Sequence, residues 1–460
     1  MAGIGFVLRK LLRKDELTSM SKAYFHAVIS TSGPWIFTVI ALGSIYLLTK
    51  HLTFFGFVSE FRIIVLYNFC FSLVFSAPFA VVATRCLSDG IYERDLKEGL
   101  GILVCSLAAS SLVSLPFVLW FYGYYTIMDP MIRLAAIANF YLVMFIWIIT
   151  VFVSTLRYYK AVTGSYFAGM VLAVFGSVAL ADDYQALGML VGFNIGLSLI
   201  VAVILGVLMK EYPPRWNDLT CFYKGMRKYW MYALGAFFFA LGIWVDKWVM
   251  WFSPDAVRYP NNMIVYPYYD SALFVAYLTV IPSMAMFMLR QETDFFEEYV
   301  DFYRNIMKGA NFTQIRQHHE SLYRCILRNG SYLLIMQAFT CIVVILAAPK
   351  IFEWIGMNVI QLGMFRYGVI GAMFQVLVLF LGTLMAYFEH RRGLLAVQCF
   401  FFVSNGILTA VVMQFGFPYY GYGYFLAGVI TFLFAAVVAE RFIRNLPYHT
   451  FITTNASINT

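Results

Sequence analysis

Long apolar runs recur along the whole chain, and short polar segments separate them. A helix needs about 20 apolar residues to cross the roughly 30 Å of bilayer hydrocarbon. Runs of this length occur at 24–48, 62–84, 100–122, 131–156, 161–181, 184–209, 229–252, 271–289, 329–348, 367–388, 394–415 and 424–442. The pattern predicts an all-α polytopic membrane protein with about twelve transmembrane helices.

The runs divide into two halves of six, with a repeated feature in corresponding places. Residues 24–209 hold the first six runs and 229–443 the second six. Segments 73–85 and 278–290, in the second and eighth runs, both have a central proline and a terminal arginine. We therefore predict two six-helix bundles in tandem.

Polar segments flank and interrupt these two bundles. They are a leader (1–23), a linker (210–228), a tail (444–460) and a long stretch at 290–328. In this last stretch, aromatic and acidic residues alternate, which predicts an amphipathic helix on the inner membrane surface. It is interpreted either as an elbow between the bundles or as a docking site for a cytosolic partner.

Charge and composition support the membrane interpretation. The chain is 62% hydrophobic and 12% charged, too little charge for a water-soluble protein of 460 residues. The predicted inner segments hold about four times as many Lys and Arg as the outer ones, which places both termini inside. The net charge of +8 then follows from topology and does not indicate nucleic acid.

The sequence contains none of the common catalytic or metal-binding motifs. It lacks GxxxxGK[ST], HExxH and GxSxG, and its six histidines are scattered. The seven cysteines form no CxxC pair, so neither a disulfide nor a metal site is expected. An enzyme is disfavoured, and we expect no cofactor.

Asp246 and Lys247 are the acid and base that lie well inside an apolar run. A charge there costs about 3 kcal/mol or more unless it is paired or hydrated. Neighbouring helical residues point about 100° apart, so each is expected to find its partner on another helix or in a water-filled cavity. The alternative is an interfacial pair in which Lys247 extends towards the surface.

Other polar groups, helix breakers and aromatic residues give further candidates. Amides that would line a transport path, or instead bond helix to helix, are Asn68, Asn194, Gln337, Gln375 and Asn405. Residues that would kink or gate spans are Gly33, Pro34, Pro78, Pro116 and Pro282. Tyrosines cluster at the predicted outer ends, including Tyr269 and Tyr424, and are interpreted mainly as interfacial belts. Candidates for stacking on a glycan are Tyr124, Tyr268 and Tyr420.

Four segments carry a resemblance that runs nearly end to end. They are MAGIGFVLRKLL at 1–12, AYFHAVISTSGPW at 23–35, GIWVDKWVMW at 242–251 and QETDFFEEYVDFYRNI at 291–306. The chain resembles the PelG family of Pel exopolysaccharide transporters, although Val7 stands where that family usually has an acidic residue. The resemblance implies the flippase superfamily of multidrug and oligosaccharide exporters, with two bundles around a central cavity that opens alternately to each side.

The resemblance also implies a substrate, partners and a location. The substrate is the amino-sugar-rich polymer of biofilm matrix. The partners are a cytosolic glycosyltransferase and other Pel membrane proteins, in the bacterial inner membrane. The alternatives are a cation-coupled exporter of small molecules, drugs or lipid-linked oligosaccharides, a membrane-embedded glycosyltransferase, and a scaffold that anchors a glycosyltransferase through 290–328.

Overall fold

The computed structural model describes residues 17–52, 55–93, 97–155, 159–212 and 220–453, most of which are helical. The first helices are α1 (Leu17–Thr49), α2 (Phe55–Glu93), α3 (Gly99–Trp120), α4 (Pro130–Thr155), α5 (Tyr159–Glu211), α6 (Thr220–Lys228) and α7 (Trp230–Met250). A π-helical turn, Phe121–Tyr125, follows α3. The predicted leader, linker and tail lie partly outside the described residues.

A small antiparallel hairpin, β1 (Val257–Arg258) and β2 (Ile264–Val265), precedes the remaining helices. These are α8 (Pro267–Leu278), α9 (Ile281–Arg290), α10 (Phe296–Met307), α11 (Phe312–Ile355), α12 (Leu362–Tyr387), α13 (Arg391–Met413), α14 (Tyr422–Arg444) and the short α15 (Leu446–Tyr448). π-helical turns at Gln291–Phe295 and His449–Thr453 follow α9 and α15. Single 3-10 turns precede α12 and α14.

Eleven helices of the described part are long and apolar enough to cross a membrane. A straight helix as long as α5 would measure about 80 Å, far more than a bilayer core. Gln185 interrupts it with φ 49° and ψ −127°. The two arms then pack closely, since a Cβ on Gly192 would lie 2.2 Å from the carbonyl carbon of Gly176. The eleven helices thus contain twelve apolar arms, and the prediction of a polytopic helical membrane protein is confirmed.

The stretch 290–328 is a pair of helical segments. It forms the end of one helix and the start of the next, because α11 runs without a break from Phe312 to Ile355. The Asn311 side chain caps α11 by accepting a hydrogen bond from the Gln314 N–H at 2.9 Å. Phe295 is 1% exposed, and its ring centroid lies 5.2 Å from that of Tyr387 on α12. The stretch is therefore a helical hairpin, and its location on the inner membrane surface, as an elbow or as a docking site, stays a prediction.

Contacts divide the chain into two compact units. The N-terminal unit contains Ser32–Trp244 together with the hairpin segment Pro254–Tyr266. The C-terminal unit contains Val245–Ser253, the chain from Pro267 onward and the described residues before Ser32. The predicted bundle boundaries and the inside location of the termini stay predictions. The C-terminal unit holds the intramembrane acid and base.

Candidate functional site: a buried ion pair enclosed by tyrosines

Asp246 and Lys247 form an ion pair inside the C-terminal unit. Lys247 Nζ lies 3.1 Å from Asp246 Oδ2 and 3.2 Å from Oδ1. Asp246 is 0% exposed and Lys247 5% exposed, so the lysine does not extend to the protein surface. The expectation that neighbours on a helix would not pair is wrong, because the four-carbon lysine stem is long enough to bring its ammonium back beside the carboxylate.

Two other helices supply further hydrogen bonds to the Asp246 carboxylate. The Tyr269 hydroxyl, on α8, donates to Oδ2 at 3.1 Å. The Asn405 amide, on α13, donates to Oδ1 at 3.4 Å, and Thr409 in turn donates to Asn405 Oδ1 at 3.4 Å. Such donors help to replace the water that a buried carboxylate loses. The expected partners on other helices are therefore present beside Lys247.

The lysine ammonium faces aromatic rings. Nζ lies 4.9 Å from the ring centroid of Tyr277 and 5.9 Å from that of Tyr424. An ammonium within about 6 Å of a ring is attracted to the electron-rich face. Tyr424 is held in place by donating its hydroxyl proton to Gln375 Oε1 on α12. We call Tyr269, Tyr277 and Tyr424 the tyrosine cage.

The tyrosine cage was the part of the site that sequence reasoning missed. The sequence predicts Tyr269 and Tyr424 mainly as members of interfacial belts, but they are 0% and 1% exposed. Tyr277 lies in an apolar helix with no distinguishing pattern around it. The one available signal was the buried charge itself, since an ammonium in an apolar span requires electron-rich neighbours.

Two of the amide candidates, Asn68 and Asn194, belong to a chain of hydrogen bonds in the N-terminal unit. Tyr122 donates to Asn68 Oδ1, and Asn68 Nδ2 donates to Asn139 Oδ1 at 2.9 Å. Asn139 Nδ2 donates to Asn194 Oδ1 at 2.7 Å, and Asn194 Nδ2 donates to the Ala135 carbonyl at 2.8 Å. The chain joins the π-helical turn after α3 to α2, α4 and α5. These amides therefore bond helix to helix, which was one of the two interpretations left open.

Gln337 stands apart from both groups. Its Oε1 accepts from Ser283, and its Nε2 donates to the Thr279 carbonyl at 3.5 Å. These partners surround the break between α8 and α9, next to Pro282 at the start of α9. Of the amide candidates, only Gln375 and Asn405 join Asp246 and Lys247 at one site.

The kink and stacking candidates have different outcomes. Pro34, Pro78 and Pro116 lie inside α1, α2 and α3, and Gly33 adjoins Pro34 in α1. Tyr124 is 85% exposed and Tyr268 45% exposed. Tyr420 is only 3% exposed, so the prediction that it offers a free face to a glycan is wrong.

The fold is similar to those of solved membrane transporters. It is similar to an outward-facing multidrug resistance MATE family transporter of the MOP superfamily, with 11% identity, coverage of 93% of this chain and 96% of that chain, and TM-score 0.63. It is also similar to an inward-facing one, with 12% identity, coverage of 92% and 99%, and TM-score 0.61. A third similar structure is a MOP superfamily transporter from Pyrococcus furiosus. It has 10% identity, coverage of 92% of this chain and 95% of that chain, and TM-score 0.64.

The chain therefore has a fold like that of MOP superfamily transporters. Residues 1–451 match the family model of the PelG exopolysaccharide exporters (EPS-E). The chain belongs to that PelG family, and it is a multi-pass membrane transporter and not an enzyme. No match was found among curated protein sequences.

Proposed function

We propose that this protein exports Pel-type exopolysaccharide from the cytosol to the periplasm, across the bacterial inner membrane, during biofilm matrix synthesis. The family match over residues 1–451 supports a polysaccharide substrate. The likeness to both outward-facing and inward-facing transporters supports a flippase-like route with alternating access. The substrate is the polymer, and a cytosolic glycosyltransferase with other Pel membrane proteins supplies it.

The enclosed Asp246–Lys247 pair is the observation that carries the proposed mechanism. Two opposite charges are held 3.1 Å apart on α7, and both are almost fully buried. In a medium of low dielectric constant, each buried charge is strongly stabilised by the opposite charge beside it. In the proposal, the pair is closed in the resting state, and it opens when polymer or a coupled ion competes for one of its members.

The neighbours of the pair have roles in the same proposal. Tyr277 and Tyr424 hold the ammonium. Asn405 orients the carboxylate through a hydrogen bond, and Gln375 orients the tyrosine cage in the same way.

Residues away from the ion pair also have roles in the proposal. The proposed positions at which helices bend are Gly33, Pro34, Pro78, Pro116 and Pro282. Tyr124 and Tyr268 are the proposed stacking platforms at the outer rim. Asn68, Asn194 and Gln337 support the helices that move.

The energy for export comes from outside the chain in this proposal. The sequence has no GxxxxGK[ST] phosphate loop. An ion gradient supplies about 2.3 kcal/mol per charge per 100 mV. A glycosyltransferase that lengthens the chain is the other source, since it pushes the polymer forward.

The proposed function is tested by the location of polymer in cells that carry Asp246→Asn or Lys247→Gln. At a protein level equal to wild type on a blot, we expect polymer to be retained inside and external matrix polysaccharide to be lost. Lys350→Gln is the matched control, because Lys350 pairs with Glu353 at 2.7 Å while its side chain is 65% exposed. Normal export by both buried-pair variants would contradict the mechanism.

A second candidate is a cation-coupled exporter of drugs, other small molecules or lipid-linked oligosaccharides. It is favoured by the similarity to a multidrug resistance transporter over 93% of the chain. Purified protein in vesicles distinguishes the two. Cation-driven efflux of an organic cation such as ethidium, without any glycosyltransferase, supports the second candidate.

A further inference from the structure

A small cavity lies in the C-terminal unit where α9 ends and the π-helical turn Gln291–Phe295 begins. Its volume is about 10 Å³, which is room for about one water molecule. Its walls are Met286, Phe287, Leu333 and Phe380 on the apolar side, and Arg290, Gln291 and Asn329 on the polar side. The cavity is distant in sequence from the ion pair and shares no residue with the tyrosine cage.

Three buried polar atoms on the cavity-lining residues have no hydrogen-bond partner among the described residues. They are the donors Arg290 Nε and Gln291 Nε2 and the acceptor Asn329 Oδ1. Gln291 and Asn329 are each only 5% exposed, so bulk water does not solvate them. An unpaired buried polar group costs about 1–3 kcal/mol, so three around one small cavity indicate a bound group.

Two residues on the polar side of the cavity have other partners. Arg290 Nη1 donates to Asp294 Oδ2 at 2.6 Å, and its guanidinium lies 4.7 Å from the ring centroid of Tyr332. Asn329 Nδ2 donates to Cys325 Sγ at 3.7 Å. The guanidinium charge is therefore already paired, and Nε is free to donate to an uncharged group.

The three atoms select one kind of ligand. A metal cation would be repelled by the guanidinium. An anion would accept from the two nitrogens but would face Asn329 Oδ1, and phosphate is too large for a cavity of this size. A hydroxyl oxygen accepts from both nitrogens and donates its proton to the amide oxygen. It also suits either orientation of the Asn329 amide, since it both donates and accepts.

We propose that this cavity binds one hydroxyl oxygen, held by Arg290 Nε, Gln291 Nε2 and Asn329 Oδ1. Two sources supply that chemistry: an internal water molecule, or one hydroxyl of a sugar residue whose ring lies outside the cavity. The sugar source rests on the proposed function. The hydroxyl site itself does not.

The proposed hydroxyl site is tested by whether leucine substitutions at its amides lower or raise the thermal midpoint of unfolding. In purified full-length protein in detergent, Gln291→Leu and Asn329→Leu are expected to lower the thermal midpoint by about 1–4 °C, because each removes a bond to the hydroxyl. Gln398→Leu is the matched control, since Gln398 Oε1 is buried with no partner among the described residues but lies outside this cavity. Its midpoint is expected to stay or rise.

If the cavity holds no hydroxyl oxygen, the change in thermal midpoint is expected to have the opposite sign. Removal of an unpaired amide would then raise the midpoint of Gln291→Leu and Asn329→Leu as well, and this result would overturn the proposal. An experimental map at a resolution that shows waters provides a second measurement. A single oxygen-sized peak within 3.2 Å of the three atoms is expected in the unliganded protein or its sugar complex. No peak in either map would equally overturn the proposal.

Added N-acetylglucosamine distinguishes the two sources. If a sugar hydroxyl occupies the site, the sugar raises the midpoint of the wild-type protein and leaves that of Asn329→Leu unchanged. If water occupies it, neither midpoint responds, while the losses in the Leu variants remain. Both outcomes support the hydroxyl site. The sugar experiment uses purified protein. A lack of response to N-acetylglucosamine is therefore distinguishable from a failure of export in cells.

Discussion

Lys247 Nζ lies 3.1 Å from Asp246 Oδ2, although the two residues are adjacent on α7. Both side chains are buried, and their neighbours include one amide and three tyrosines from other helices. A pair of this kind is nearly neutral as a unit, but each member alone is a costly buried charge. Stability and transport are therefore expected to respond differently to single and double substitutions.

The first prediction concerns the stability of the pair. Asp246→Asn and Lys247→Met are each expected to lower the free energy of unfolding by about 3–5 kcal/mol, because each leaves an uncompensated charge. The double variant Asp246→Asn/Lys247→Met removes both charges and is expected to recover most of that loss. Thermal unfolding of the purified variants in detergent provides the measurement.

The exposed pair Lys350–Glu353 gives the control for this cycle. Its side chains are 65% and 67% exposed, so single and double substitutions there are expected to change stability by less than about 1 kcal/mol. Additive effects of Asp246→Asn and Lys247→Met would show that the two charges do not depend on each other.

The second prediction concerns the tyrosine cage. Tyr277→Phe keeps the ring that faces Lys247 and is expected to retain stability, whereas Tyr277→Leu is expected to lose about 1–2 kcal/mol of cation–π attraction. Tyr124→Leu, at a ring that is 85% exposed, is the control. Equal losses for Tyr277→Phe and Tyr277→Leu would mean that the hydroxyl, and not the ring face, is the stabilising group.

The third prediction concerns the amide chain of the N-terminal unit. Asn139 donates to Asn194 Oδ1 and accepts from Asn68 Nδ2. Asn139→Ala removes the donor from the buried Asn194 Oδ1, whereas Asn68 Nδ2 keeps its bond to the Ala136 carbonyl at 3.0 Å. A loss of about 1–3 kcal/mol is expected, while Asn445→Ala at an exposed asparagine is expected to be neutral. If Asn139→Ala is fully stable but abolishes export, the amide chain lines the transport path instead.

Sequence reasoning was most successful where one physical force dominates. Apolar length alone predicts the spans, because unsatisfied backbone groups are excluded from lipid. The pattern of apolar runs also separated 161–181 from 184–209. The structure shows these runs as two arms of α5 that fold back at Gln185. It also selected Asp246 and Lys247, because a charge in an apolar run is rare and costly.

The sequence was less informative where the result depends on how side chains meet. The direction of the lysine stem brings Lys247 to Asp246, and helix spacing does not predict that. Burial of Tyr269, Tyr277 and Tyr424 depends on how α8 and α14 each pack against α12, and interfacial tyrosines have the same local pattern. The sequence did not predict that α11 continues from the polar stretch 290–328 into the apolar run 329–348, because the change from polar to apolar residues does not show whether the helix is interrupted.

The most direct test of the central claim is transport into inside-out membrane vesicles that carry the glycosyltransferase on their outer, cytosolic face and receive a radiolabelled nucleotide sugar from the outside. With the wild-type protein, labelled polymer is expected inside the vesicles, protected from a glycoside hydrolase added outside. With Asp246→Asn/Lys247→Met at an equal protein level, the polymer is expected to remain accessible to the hydrolase. Equal protection in vesicles that lack this protein would contradict the claim that the chain moves polysaccharide across the membrane.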